Sequence, residues 1–285
     1  MNTLKTTFLL ALLTGLLMAV GNYFGGTNGM MFMFVFALGM NFLSYWYSDK
    51  IILKMYHAKE INKENAPDLL MLVANLAKSA NMPMPRVYII ETSAPNAFAT
   101  GRNPQNGVVA VTTGILKVLN YDELSGVIAH ELAHIKNRDT LISTIVASIA
   151  GFITMVAHMA QWALIFGMGR DEDNGAGSLI GSLLLIIVAP LAATIIQLAI
   201  SRSREFAADE TGAKICQKPK SLASALKKIE AYAIQNTKMQ QAQINPSTSH
   251  LFIINPLSDA GSFISGLFST HPKTADRVAK LEKMA

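Results

Sequence analysis

Four long stretches of the chain, residues 6–24, 30–47, 141–166 and 178–200, carry no formal charge, and they flank two polar blocks. Each stretch holds about eighteen or more residues, enough as an α-helix rising about 1.5 Å per residue to cover a hydrocarbon core roughly 30 Å thick. The pattern therefore predicts four transmembrane helices. The first also resembles a signal peptide because it follows Lys5. It lacks a convincing small-residue cleavage site, and a second apolar span follows within a few residues, so an uncleaved anchor is the better reading.

The polar blocks show shorter periods. In "APDLLMLVANLAKSAN", Leu69, Leu70, Val73, Leu76 and Ala77 fall on one helical face. Pro83 and Pro85 end that helix, and "RVYIIE" and "GVVAVTT" read as short strands from their β-branched content. Next, Asn120 can cap a helix with Glu123 at the third position, and Leu124, Val127, Ile128, Leu132 and Ile135 supply its buried stripe. "SRSREFAADETGAKICQ", "KSLASALKKIEAYAIQN" and "KTADRVAKLEKM" predict three further helices. The Pro-, Ser- and Gly-rich segment before the last of them reads as a long loop.

This divides the chain into residues 1–48 with helices one and two, 49–140 as a first polar part, 141–200 with helices three and four, and 201–285 as a second polar part. Spans three and four return the chain to the same side, so the two parts can pack into one composite domain.

Composition agrees with a membrane class: 51% of residues are hydrophobic and only 15% charged. Lys50, Lys54, Lys59, Lys63, Lys136, Arg138, Arg202 and Arg204 flank the spans on one side, whereas the connecting "GGTNG" and "GRDEDNGAG" carry little positive charge. The positive-inside tendency then puts both termini and both polar parts in the cytoplasm. Cys216, the single cysteine, cannot form an intramolecular disulfide, which suits a reducing compartment. The net charge of +5 follows topology, and no nucleic-acid motif accompanies it, so nucleic acid is not an expected partner.

Chemistry concentrates in "SGVIAHELAHIKNRDT". On a helix His130 and His134 differ by about 40° around the axis, so both imidazoles leave from one face a turn apart, as two ligands of one metal ion must. Glu131, about 100° round from His130, can reach a water on that metal, the arrangement of a His-Glu-x-x-His metallopeptidase helix. A catalytic zinc needs a third protein ligand. Glu205 and Asp209, four apart on one predicted helical face, are the candidates; one can bind metal while the other orients a histidine through its ring N–H.

With "NAFATG" at 96–101, "HELAH" at 130–134, "SRSREFAAD" at 201–209 and "THPKTADRVAKL" near the C-terminus, the chain resembles the HtpX-type integral-membrane zinc metalloproteases, relatives of the CAAX prenyl protease. The resemblance implies a mainly α membrane protein, four transmembrane helices with a composite α+β zincin-like cytoplasmic protease domain, in the bacterial inner membrane. It implies one zinc per subunit on His130, His134 and Glu205, Glu131 as catalytic acid/base, and Asp209 orienting a ligand. It also implies an endopeptidase acting on misfolded or damaged membrane proteins.

The C-terminal His-Pro…Arg element brings in His271, as oxyanion donor or as a loop-fixing residue, and Arg277. The extended core of "APNAFATG" suggests a sheet edge where Ala97, Phe98 and Ala99 pair with a substrate backbone. Asn96 either contacts that substrate or fixes the turn. His158 and Gln161, inside the third span, read as interhelical hydrogen-bonding groups, His250 as a loop residue and His57 as solvated. A non-catalytic metal-containing scaffold or chaperone is the alternative, weakened by Glu131, which a closed structural site would not need; a transporter is weaker still for want of charges inside the membrane.

Overall fold

The computed structural model of the chain describes residues 2–142, 202–236, 253 and 272–285. The expected third and fourth spans, with His158 and Gln161, and most of the long loop, with His250 and His271, lie outside the described residues.

The first helical run, α1 (Asn2–Met55), breaks into two arms at Gly25 and Gly26, whose backbone leaves the helical region, Gly26 at φ 55°. Glycine visits that left-handed region without the Cβ clash that any other residue meets. The arms fold back on each other: Asn41 Nδ2 donates to Thr14 Oγ1 at 3.0 Å, Leu17 and Ala37 are buried, and a Cβ at Gly21 would collide with the Gly29 carbonyl. Among the described residues one helix is long and apolar enough to cross a membrane, Gly25–Tyr47; in the first arm the apolar helix is the shorter Leu10–Ala19. Phe32, Val35, Leu38, Phe42 and Leu43 stand exposed on the second arm, a surface suited to lipid and unsuited to water.

Beyond α1 the chain forms α2 (Pro67–Ser79), α3 (Thr113–Val118), α4 (Tyr121–Lys136), α5 (Arg202–Cys216), α6 (Pro219–Gln235) and α7 (Thr274–Glu282). With them are four strands, β1 (Lys59–Glu60), β2 (Arg86–Ile90), β3 (Ala97–Thr100) and β4 (Val108–Thr112). The sheet order is β1-β2-β4-β3, with β2 and β4 parallel and the outer pairs antiparallel. β4 is buried along its whole length, as its unbroken apolar run requires.

One buried apolar cluster runs from Ile61 to Leu281, so both polar parts of the sequence contribute to a single core. The expected stripe of α2 is present with one exchange, since Leu72 is buried where Leu70 is only partly covered. α3, β1 and the 3₁₀ turn Pro104–Asn106 were not anticipated; each is too short for a periodic pattern to emerge.

Candidate metal centre

The histidine helix α4 starts at a capping box. Asn120 Oδ1 accepts from the Glu123 N–H at 2.9 Å and Glu123 Oε2 accepts from the Asn120 N–H at 3.0 Å. Glu123 also accepts from Ser224 Oγ at 2.7 Å and Lys228 Nζ at 2.8 Å, which fixes α4 against α6. α4 is buried nearly all round, so His130 and Glu131 sit in the interior while His134 is the more open of the two histidines.

α5 crosses α4 at close range because Gly212 has no side chain; a Cβ there would lie 2.8 Å from the His130 backbone nitrogen. Ala208, fully buried, keeps the same face small. Glu205, Asp209 and Gly212 share that face at helical spacing, so the close crossing delivers both carboxylates to the histidines.

Donor atoms of His130, His134 and Glu205 all lie within 4.8 Å of one another. The two Nε2 atoms are 3.1 Å apart, Glu205 Oε2 is 3.7 Å from His130 Nε2, and Glu205 Oε1 is 3.5 Å from His134 Nε2. Tetrahedral ligands about 2.0–2.1 Å from zinc are separated from one another by about 3.3 Å, so this triangle has the right size. Two imidazole nitrogens facing each other at 3.1 Å need a proton or a cation between their lone pairs.

The far nitrogens are also engaged. His130 Nδ1 is 2.9 Å from Asp209 Oδ1, off the line a good hydrogen bond would take, so the contact is chiefly electrostatic. His134 Nδ1 meets Asp139 Oδ2 at 3.3 Å. Such carboxylates select the tautomer that turns Nε2 toward a metal and raise its basicity.

Arg277, 1% exposed, grips Asp209 with two N–H donors, Nε to Oδ2 at 2.8 Å and Nη2 to Oδ1 at 2.6 Å. Its Nη1 donates to the Ile253 carbonyl at 3.2 Å, while the Ile253 N–H donates to Asn96 Oδ1 at 3.1 Å. Asn96 and Arg277 thus hold one residue of the long loop from both sides. The Asn96 side chain serves this anchorage, and its backbone pairs with Thr112.

Four buried carboxylates, Glu131, Asp139, Glu205 and Asp209, face two guanidinium groups, Arg277 and Arg204. With both imidazoles neutral the cluster carries two excess negative charges, which a divalent cation would balance in a setting where unpaired charge is costly. Proton affinities show the same imbalance. Burial would push His134 down, yet Asp139, Glu205 and Glu131 around it raise it to about 9. Burial pushes the Glu131 carboxyl up; the two histidines oppose this, Glu205 adds to it, and the Ala99 N–H opposes it again. For Asp209 burial is outweighed by Arg277 and His130, which hold it at about 2.

β3 is an outer strand of the sheet and packs beside the histidine helix, which brings the Ala99 N–H to the neighbourhood of the Glu131 carboxylate. Ala97, Phe98 and Ala99 are themselves buried. His57 is exposed. Asp139 and Gly212 were not expected at the site, and Arg204 was expected only as a basic flank of the fourth span. Asp139 lies five residues beyond His134, across the helix end at Arg138 (φ 59°), where periodicity gives no guidance. Gly212, seven residues after Glu205, could have been found as the small position on the carboxylate face.

Residues 63–285 match peptidase family M48. The chain belongs to that family. It is 58% identical over 285 residues to a Protease HtpX homolog of Persephonella marina, covering 100% of this chain and 98% of the relative. To the Protease HtpX homolog of Thermococcus sibiricus it is 55% identical over 284 residues, covering 99% and 96%. The fold is similar to the crystal structure of S. mikatae Ste24p, with a TM-score of 0.52 and 18% identity; the match covers 99% of this chain, which spans 65% of the length of that one.

This M48 chain is therefore a membrane-associated metalloprotease of mostly helical, Ste24p-like fold, and its cofactor is zinc. The non-catalytic scaffold gains no support. Of the expected site residues, the described M48 fold brings together His130, Glu131, His134, Glu205, Asp209 and Arg277, with Ala99 alongside.

Proposed function

We propose that the protein is a multi-pass endopeptidase whose active site faces the cytoplasm at the membrane surface and that it degrades misfolded or damaged membrane proteins. In this reading residues 1–48 and 141–200 form the membrane part, and residues 49–140 and 201–285 form the proteolytic part. The observation that carries the reading is the convergence of His130, His134 and Glu205 within 4.8 Å, with Glu131 buried beside them on the same helix.

His130, His134 and Glu205 would hold zinc, which when bound acidifies water and polarises the scissile carbonyl. The Glu131 carboxylate takes the proton of the attacking water and returns it to the leaving amine nitrogen. Its raised proton affinity, caused first by burial, makes it a stronger base for the first of these transfers than an exposed carboxylate would be. Asp209 and Asp139 keep the imidazoles in register, and Arg277 keeps Asp209 in place. Ala97, Phe98 and Ala99, on the outer strand, offer main-chain partners to an extended substrate, which gives sequence-tolerant recognition. His271 is the candidate donor to the developing oxyanion.

Two arms test this. Purified protein in vesicles should cleave an unfolded membrane protein, lose that activity to a chelator and regain it with zinc. Accessibility labelling of single cysteines in the polar parts should find them on the cytoplasmic face of intact cells; labelling from outside refutes the orientation while leaving the hydrolase intact.

A further inference from the structure

At the end of the apolar arm, Tyr45, Trp46 and Tyr47 form an aromatic run of the kind that settles at headgroup depth, and charged residues follow at once. Here the arm meets the sheet domain. Arg86 Nη2 donates to Asp49 Oδ2 at 2.7 Å, and the Arg102 guanidinium lies over the Trp46 ring, 4.2 Å from its centroid. Between them is a cavity of about 550 Å³ whose wall includes Trp46, Lys50, Arg86 and Arg102, and which shares no residue with the metal centre.

The charges in this cavity do not cancel. Among the described residues Asp49 is its only carboxylate, and Arg86 holds it. Lys50 and Arg102 are left with ring faces, Lys50 Nζ standing 5.2 Å from the Tyr47 centroid. Among the described residues neither makes an ion pair. An aromatic face fixes a guanidinium but uses none of its five N–H donors in the ring plane. The cavity thus presents two uncompensated cations, one an immobilised fork suited to a bidentate oxyanion.

We propose that this cavity binds the phosphodiester headgroup of an anionic phospholipid. Phosphate oxygens bond to Arg102 and Lys50, and the acyl chains lie along the exposed apolar face of the arm. Free phosphate would satisfy the same donors. The lipid is favoured because Phe42, 57% exposed, lines the same cavity, and Leu38, Leu43 and Val35 continue its apolar side away from the charges. A polar subsite joined to an open apolar face at headgroup depth matches an amphiphile. The occupant would grip the loop leading out of β3, since Arg102 directly follows Gly101, whose carbonyl accepts from Thr140 Oγ1 at 2.8 Å.

The inference rests on the arm crossing the membrane, and one experiment separates the two claims. The chain has two tryptophans, so Trp162→Phe leaves Trp46 as sole reporter. The full chain is placed in vesicles of phosphatidylglycerol and phosphatidylcholine at one to four, with bromine on the chains of one lipid or the other. The ratio of phosphatidylglycerol to phosphatidylcholine beside Trp46, read from the two quenching experiments, should exceed the bulk ratio of one to four at least about fivefold, the factor that one basic contact of about 1 kcal/mol confers. Lys50→Gln, at an exposed position, should reduce the excess, and Lys50→Gln with Arg102→Gln should abolish it.

Quenching in proportion to bulk composition, or an excess unchanged in both variants, overturns the site. An excess abolished by millimolar inorganic phosphate at constant ionic strength assigns the cavity to free phosphate and overturns the lipid. No quenching by either lipid overturns the membrane-crossing arm, and the site with it.

Discussion

Gly212 of α5 faces the backbone of His130 on α4 so closely that a methyl group there would lie 2.8 Å from the His130 nitrogen and 2.9 Å from its Cα. The contact is backbone to backbone, so no rotamer change relieves it. Gly212→Ala should push the helices apart and carry Glu205 away from the imidazoles. The expected cost is about 1–3 kcal/mol of stability together with weaker zinc retention. Thermal unfolding and zinc content of the same preparation check it; full zinc content with an unchanged melting temperature would refute the role.

Glu131→Gln keeps the shape of the side chain and removes its capacity to carry a proton. Zinc content should stay at the wild-type level while turnover falls by about 10²–10⁴-fold. Metal analysis beside a peptide-cleavage assay decides the matter, and near-normal turnover would exclude Glu131 as the base.

Asp139 holds the far nitrogen of His134, so Asp139→Asn should weaken zinc affinity by about 10–100-fold without removing a ligand. The pH dependence follows from the same contact. In the metal-free protein His134 is raised to about 9, so below that pH zinc must displace its proton. Apparent affinity should therefore fall as pH drops, roughly tenfold per unit for one displaced proton. Titration in two buffers of different ionisation enthalpy measures the proton released, which should decrease in Asp139→Asn.

Arg277 keeps Asp209 ionised at about 2, below its ordinary 3.8. For a depressed carboxylate the linked stability is present above the unfolded value and is lost as pH falls through the folded one, here from about 4 towards 2; it amounts to about 2 kcal/mol. Arg277→Met strands a buried carboxylate and should cost about 3–5 kcal/mol at neutral pH. Arg277→Lys restores the charge without the two-pronged grip and should recover only part of the loss. Melting temperatures from pH 7 to pH 2 test this, since the gap between wild type and Arg277→Met should narrow at the acid end.

The sequence by itself determined the elements with strong periods and the chemistry that rides on them. Leu124, Val127, Ile128, Leu132 and Ile135 set the register of α4, and that register puts His130 and His134 on one face whatever surrounds them. Glu205 and Asp209 were legible as a pair for the same reason. Only the tertiary structure decided which partners those groups meet: Asp139 on His134, Arg277 on Asp209, Asn96 on the backbone of Ile253, and the Gly212 crossing that brings α5 within ligand range. Periodicity is a property of one helix and survives in its sequence. A distance between residues 130 and 205, or 96 and 253, depends on how several helices pack against one another.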